Sequence, residues 1–457
     1  MISERRLHVA AAFGHALRAL RELALPILIG VVVGGRGTGG MSLLFGVGGV
    51  VASALIGWLR WRSTRYRVSG GALHVRSGVF SPDDTVVPLD RIQSVDTIEG
   101  PVQRLFGITG LHVQTPGGGE SAEVELPALS ATAVRELRAA LGHPEVADAG
   151  APRERLGLGA LVLSALTAPQ LTVLLPLVGL VGGALQDGVV GVDAGRRLAS
   201  RLDDPGHALL VVGLVVAGAW VLSFAGALVT FGGFEVTRAG DRLRIRRGLL
   251  ARRAVSVPVA RIDGVVLVES LLRRPLGRVT LRIEVAGLGP EAVAARTLFP
   301  LLRRRDAEAF LTRVVPELAV ELTLTDRPPR RALRRFVTVP AVVAAALAAA
   351  LIVAVPAAWP AAPVLVVVAL AAGADAHAAA GLRLAGSHVV LRTWRRGARV
   401  TLAARVRRLQ EHGCTRTPLQ ARAGLATVQV AVGSGTRVRT RHLELPVARA
   451  FLAALAP

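Results

Sequence analysis

Long runs almost free of charge alternate along this chain with stretches in which apolar and polar residues change places every one or two positions. Six apolar runs, at 23–39, 41–59, 168–185, 207–231, 336–357 and 360–382, fall into three pairs. Each approaches or exceeds the ~20 residues that a helix needs to cross a bilayer core. The pattern predicts six transmembrane helices in three hairpins. A further apolar segment, 156–167, is suited either to crossing the membrane or to lying at its interface.

After each pair the period changes to that of strands. Tyr66–Phe80 reads as two strands around Gly70-Gly71, and Phe234–Leu250 has the same form around Gly240-Asp241; a turn between alternating runs is a hairpin signal. Gly110–Thr115 and Arg278–Val285 add further strands. Helical spacing then takes over in Ser130–Leu141, where Val134, Leu137 and Leu141 share a face, and in Arg305–Val315 and Val447–Leu455. The expected fold is therefore an α+β membrane protein with three small β modules, each closed by a C-terminal helix. Its divisions are 1–62 (N-terminal segment and first pair), 63–145 (module 1), 156–231 (second pair), 232–320 (module 2), 336–382 (third pair) and 383–457 (module 3, divergent).

The modules repeat one another. Arg91 and Gly107 in the first copy stand sixteen residues apart, as do Arg261 and Gly277 in the second. In the third, Arg405 and Gly424 take the same places with three extra residues between them. Equal placement in every copy favours a structural role for these six residues. A planar guanidinium could also grip a phosphate or carboxylate through two donors.

Composition sharpens this picture. The chain is 52% hydrophobic with a mean hydropathy of +0.50, too apolar for one ordinary soluble globule. All 55 basic residues are arginine, asparagine is absent as well, and the net charge is +23. A GC-rich genome accounts for much of that bias, which weakens any nucleic-acid reading. A single cysteine, Cys414, excludes an internal disulfide framework and any multi-cysteine metal site. The links between paired runs are poor in positive charge and the modules are rich in it, so the positive-inside rule predicts cytoplasmic modules and termini.

The strings Tyr66-Arg-Val, Val87-Pro-Leu-Asp-Arg-Ile-Gln-Ser-Val and Gly100-Pro-Val-Gln-Arg-Leu-Phe-Gly resemble the bacterial pleckstrin-homology-like (PH-like) domain of the YdbT type. The resemblance covers nearly the whole chain. It implies PH-like modules alternating with transmembrane pairs in a bacterial plasma membrane. It also implies a non-catalytic scaffold that assembles with itself or with a small related PH-like membrane protein, and a connection with envelope defence. Where copies one and two carry Arg104 and Arg274, copy three has Ala421. Lipid transport, or a channel-like assembly, is the alternative reading.

Candidate chemistry is sparse. Arg327, Arg330, Arg331, Arg334 and Arg335 crowd the start of the fifth apolar run, and Arg395 and Arg396 lie in module 3. Near a bilayer such clusters attract anionic headgroups at ~1 kcal/mol per charge; these seven are the candidate contacts for lipid or partner. Asp375 and His377 lie in the last run, where an ionisable pair raises the idea of a proton relay. Nothing in the sequence forms a catalytic centre, a metal site or a cofactor motif, and no cofactor is expected.

Overall fold

The computed structural model describes residues 2–14, 16, 39–78, 83–92, 94–114, 123–142, 152–167, 205–285, 296–354, 356 and 359–455. The expected run 23–39, save Gly39, and the run 168–185 lie outside these residues. Run 41–59 falls within helix α1 (Gly39–Ser63), and run 207–231 within a 27-residue helix, Pro205–Phe231. Among the described residues two helical stretches, Arg330–Val353 and Ala361–Ala379, are long and apolar enough to cross a bilayer. The last helix stops at Ala379 rather than at 382, because Gly381 and Leu382 already belong to a strand.

Module 1 is built from two sheets. The first has the order β1 (Ile2–Arg6), β2 (Arg65–Ser69), β3 (Ala72–Ser77) and β4 (Asp83–Pro88). A 3-10 turn at Leu89–Arg91 leads into β5 (Ser94–Glu99), then β6 (Ile108–Gln114) and β7 (Glu123–Ser130). Helix α2 (Pro101–Leu105) joins β5 to β6, and α3 (Ala131–Ala140) closes the module, capped by the Ser130 hydroxyl, which accepts from the Ala133 amide. The alternation of side chains puts Leu73, Val95, Leu111, Leu126 and Leu137 into one core with no exposed surface.

The second and third modules follow the same plan. Module 2 runs β8 (Arg153–Arg155), α4 (Leu158–Leu166), α5 (Pro205–Phe231), β9 (Glu235–Ala239), β10 (Arg242–Arg247), β11 (Arg252–Pro258), β12 (Ile262–Ser270), β13 (Arg278–Val285), β14 (Thr297–Arg303) and α6 (Ala307–Val314). Module 3 follows the pair α7 (Leu333–Ala354) and α8 (Ala361–Ala379). It comprises β15 (Gly381–Ala385), β16 (His388–Arg395), β17 (Ala398–Arg405), β18 (Leu409–Thr415), α9 (Pro418–Arg422), β19 (Leu425–Val432), β20 (Arg437–Glu444) and α10 (Leu445–Leu455).

Two features depart from the sequence expectation of separate small modules. First, the sheets cross the module boundaries: one seven-stranded sheet has the order β7-β6-β5-β11-β10-β9-β8, and a six-stranded sheet has the order β14-β13-β12-β17-β16-β15. The second half of each module thus shares a sheet with the first half of the next. Second, a short strand before each apolar pair adds to the module after it. Arg6 pairs with Arg65, and Arg155 with Glu235; Asp326 makes an isolated bridge to Leu382. Ile2–Arg6, expected to belong with the N-terminal segment and first pair, forms a strand that pairs with β2 of module 1. Each apolar excursion leaves from and returns to one hydrogen-bonded pair.

Segment 156–167 is held against module 2. Its nine-residue α4 is too short to span, and the buried Arg273 pins its end by donating to the Thr167 hydroxyl (2.9 Å) and the Ser164 carbonyl (3.0 Å). In the last pair, α7 and α8 approach so closely that a Cβ on Gly373 would lie 2.5 Å from the Phe336 carbonyl oxygen. Small residues permit this backbone approach between apolar helices.

Candidate functional site

The repeat signature falls at the turn and the glycine that frame the second sheet of each module. Arg91 and Arg261 end the 3-10 turns Leu89–Arg91 and Val259–Arg261. In the third module that turn is Val406–Arg408, so the residue equivalent to Arg91 is Arg408 and not Arg405. The realignment removes the three extra residues, because Arg408 stands sixteen residues before Gly424. Gly107, Gly277 and Gly424 take φ of +62°, +58° and +65°, turning the short helix, or in module 2 the turn, into the next strand in a conformation that side chains resist. Arg408 itself donates to the Ala260 carbonyl, joining one turn to its counterpart in the neighbouring module.

The candidate headgroup residues distribute differently. Arg331 pairs with Glu444 at 2.9 Å. Arg327, Arg330 and Arg334 are exposed, Arg335 is half-buried, and Arg395 and Arg396 occupy the exposed tip of the β16–β17 hairpin. None of these last six makes an ion pair within the described residues. Asp375 and His377 do not face one another. Asp375 accepts from Arg274 of module 2 and from Arg399 of module 3. His377 Nε2 lies 3.2 Å from the Pro329 carbonyl, its ring edge-on to Phe336.

The sheet shared by modules 1 and 2 creates a site that sequence reading missed. A cleft of about 720 Å³ is lined by eight arginines (Arg104, Arg135, Arg138, Arg244, Arg246, Arg247, Arg252 and Arg253) against two carboxylates, Glu99 and Glu235. Strand β10 supplies Arg244 and Arg246 by alternation, with Leu243 and Ile245 buried on its other face, and Arg247 follows at its end on the buried face. Arg104 fixes the wall by donating to the Leu249 carbonyl at 2.9 Å. The signal was present in Arg242-Leu-Arg-Ile-Arg-Arg247, an arginine at every position facing away from the core. What was hidden is that module 1 brings Arg104, Arg135 and Arg138 to the same place.

Arg247 is the unusual member. It is only 6% exposed, yet its Nη1 has no hydrogen-bond partner among the described residues. Burial, aided by neighbouring Arg253, pushes its guanidinium down to about 10. A buried charge without a partner is costly. Arg273 in module 2, also pushed down to about 10 by burial, shows the contrast: it donates to Thr167, Thr280, Ser164 and the Pro300 carbonyl.

The cleft lies beside a helix end that leads toward the apolar pair. Gly233 and Leu249 line it, and the Leu249 and Gly248 amides donate to the Val229 and Gly232 carbonyls at the end of α5, at 2.9 and 2.8 Å. Leu249 and Leu250 are about half exposed there. The short helix of modules 1 and 3, and the turn in its place in module 2, carry apolar side chains outward in the same way: Leu105 and Phe106, then Leu271, Leu272 and Leu276, then Leu419. No group of three or more metal-ligating side chains occurs among the described residues.

Modules strung on one backbone, fused sheet to sheet and separated by apolar helices, define a membrane-associated protein of repeated β modules. The chain belongs to the bacterial PH domain family, whose profile matches residues 16–145, 173–317 and 334–457. It is 26% identical over 378 residues to the transmembrane protein YdbT of Bacillus subtilis (strain 168), covering 74% of each chain. It is 28% identical over 92 residues to the transmembrane protein YdbS of the same organism, which is 20% of this chain and 55% of that one. No solved structure matches the chain.

Proposed function

We propose that this protein is a non-catalytic membrane scaffold whose PH-like modules sit on the inner face of a bacterial plasma membrane, binding anionic phospholipid headgroups and assembling through their sheets. The observation that carries the headgroup reading is Arg247, buried with its Nη1 unpartnered among the described residues, in a cleft lined by eight arginines and two carboxylates. A phosphate would satisfy that donor and offset the charge around it. The exposed leucines beside α5 suit the acyl boundary, and the cleft beside them suits the headgroup layer. Arg327, Arg330, Arg334, Arg335, Arg395 and Arg396 add a diffuse attraction to anionic lipid.

The topology reading has its own support. Each apolar excursion starts and ends on one strand pair, and both module boundaries are crossed by a shared sheet. Three membrane hairpins with all modules on one side fit that constraint, and a role in envelope defence suits a scaffold so placed.

The test is lipid retention by the full-length protein in mild detergent, titrated with phosphatidylglycerol or phosphatidylcholine and read by native mass spectrometry. Phosphatidylglycerol should be retained at least about ten-fold better, and the Arg135→Ala/Arg252→Ala/Arg253→Ala variant should lose most of that preference. Equal retention of both lipids, or an unchanged preference in the variant, would sink the cleft as the headgroup site.

A further inference from the structure

The two junctions between modules are built in one register, and two edge strands, β4 and β18, have the form of the two halves of a further one. Thr97, six residues past Arg91, pairs with Ala254, seven before Arg261. Leu267, six past Arg261, pairs with Thr401, seven before Arg408. In each junction the first strand after a 3-10 turn lies antiparallel against the strand that precedes the next module's turn. Such a register is specific, because a slip of one residue turns every side chain to the other face.

By the same rule β4 is a receiving strand and β18 a donating one, and among the described residues neither is paired on that side. The first sheet has the order β1-β2-β3-β4 and the last β18-β19-β20, so each of the two strands lies at a sheet edge, and no described residue pairs with its outer side. Val86 on β4 is 51% exposed. An open edge is a template for another strand, and proteins that keep one usually protect or use it.

We infer that β18 of one copy adds to β4 of a second copy, head to tail, extending the internal junction between molecules. The inference rests on the assembly part of the function proposed above and deepens it by naming the interface. Counting from Arg408 and Arg91, the shared register puts Cys414 opposite Asp84, Thr415 opposite Asp83 and His412 opposite Val86.

Charge distinguishes the ends from the internal junctions. At the internal junctions an acid on the donating strand faces an arginine on the receiving one, Glu99 against Arg252 and Glu269 against Arg399. At the open ends the same offsets set Arg416 opposite Pro82, and the acid on its own face is the exposed Asp84, one diagonal step away. Opposite charges across a strand pair stabilise it, and like charges there do the reverse. A repeated head-to-tail contact is heterologous; confined to one membrane plane, it closes into a ring or continues as a row.

The single native cysteine makes the register testable in the full-length protein in its membrane. Asp84→Cys sets a second thiol directly opposite Cys414 of the next copy, within disulfide reach. Thr85→Cys points its thiol to the other face and serves as the control. Mild oxidation should link Asp84→Cys into a ladder of dimers and larger species on non-reducing gels, about ten-fold more than the control. A faster-moving monomer would mean that the three modules close on themselves and would overturn the second copy as occupant. Equal linking of both variants would overturn the register.

Native mass spectrometry of the wild type covers the case in which Asp84→Cys fails to fold. Multimers of this chain support the inference; a stable monomer, or a one-to-one complex with a smaller single-module protein, overturns it. Lipid selectivity by the cleft is read separately, so loss of either result leaves the other standing.

Discussion

Arg274 of the second module donates to the carboxylate of Asp375 near the end of α8, and Arg399 of the third module reaches the same oxygen at 2.5 and 3.0 Å. One carboxylate thus ties a membrane helix to both modules at their junction. The arrangement favours a brace over a proton relay. Asp375 is mostly buried, so Asp375→Ala would leave two arginines facing each other without a counter-charge and should cost about 2–4 kcal/mol. His377→Ala removes a contact to a carbonyl and to an aromatic edge and should cost about 1 kcal/mol or less. Thermal unfolding of the detergent-solubilised variants checks the order; equal losses would reject the brace.

The equivalence of Arg104 and Arg274 explains part of what was legible in the sequence. Both sit in the short helix or turn of their module and both reach forward, to the Leu249 carbonyl and to Asp375. In the third module Ala421 stands at this position. The repeat, the closing helices and the alternation could be read because spacing and period are local. The register of the third copy could not, since Arg405, Arg407 and Arg408 are interchangeable by identity and only the 3-10 turn selects Arg408. Strands such as Arg153–Arg155 were hidden because their partners lie beyond an apolar excursion. The arginine cleft was hidden for a related reason: its two walls belong to different modules, and only the pairing of β5 with β11 unites them.

Gly277→Ala and Gly373→Ala should fail for different reasons. At Gly277 a Cβ meets open space, but φ is +58°, so the cost is the conformational ~1 kcal/mol. At Gly373 a Cβ would lie 2.5 Å from the Phe336 carbonyl oxygen and 2.8 Å from the Val337 Cα, so α7 and α8 must separate. That change should exceed the first, at about 1–3 kcal/mol. Proteolysis should show it as loosening of the last pair while module 2 stays protected. An equal effect of the two substitutions would contradict the close packing.

His442 gives module 3 a pH dependence with a definite sign. Its backbone φ is +59°, its Nδ1 lies 3.0 Å from Gln420 Nε2, and its ring stands edge-on to Phe336. Burial, with Arg335 and Arg441 nearby, pushes it down to about 4. The unfolded chain takes up a proton near pH 6.5 and the folded chain does not, so stability falls as pH drops from about 6.5 toward 4. His442→Asn tolerates the left-handed backbone and removes the titration. The variant's unfolding temperature should vary less between pH 7 and pH 5 than that of the wild type. An unchanged slope would place the titration elsewhere.

Cys414 reports the side on which the modules lie. It is half-buried on the edge strand β18, and burial raises its thiol above the ordinary cysteine range. Only the thiolate attacks a maleimide, so labelling should be slow at neutral pH and speed up as pH rises. With the modules on the inner face, a membrane-impermeant maleimide should leave Cys414 untouched in intact cells and modify it in inside-out vesicles. Because the modules share sheets across both boundaries, this one residue speaks for all three. Rapid labelling in intact cells would put the modules outside and remove the inner-leaflet headgroup from the proposed function. The same reagent should label Cys414 more slowly in assembled protein than in protein dissociated by harsher detergent, since the head-to-tail contact covers the edge on which it sits.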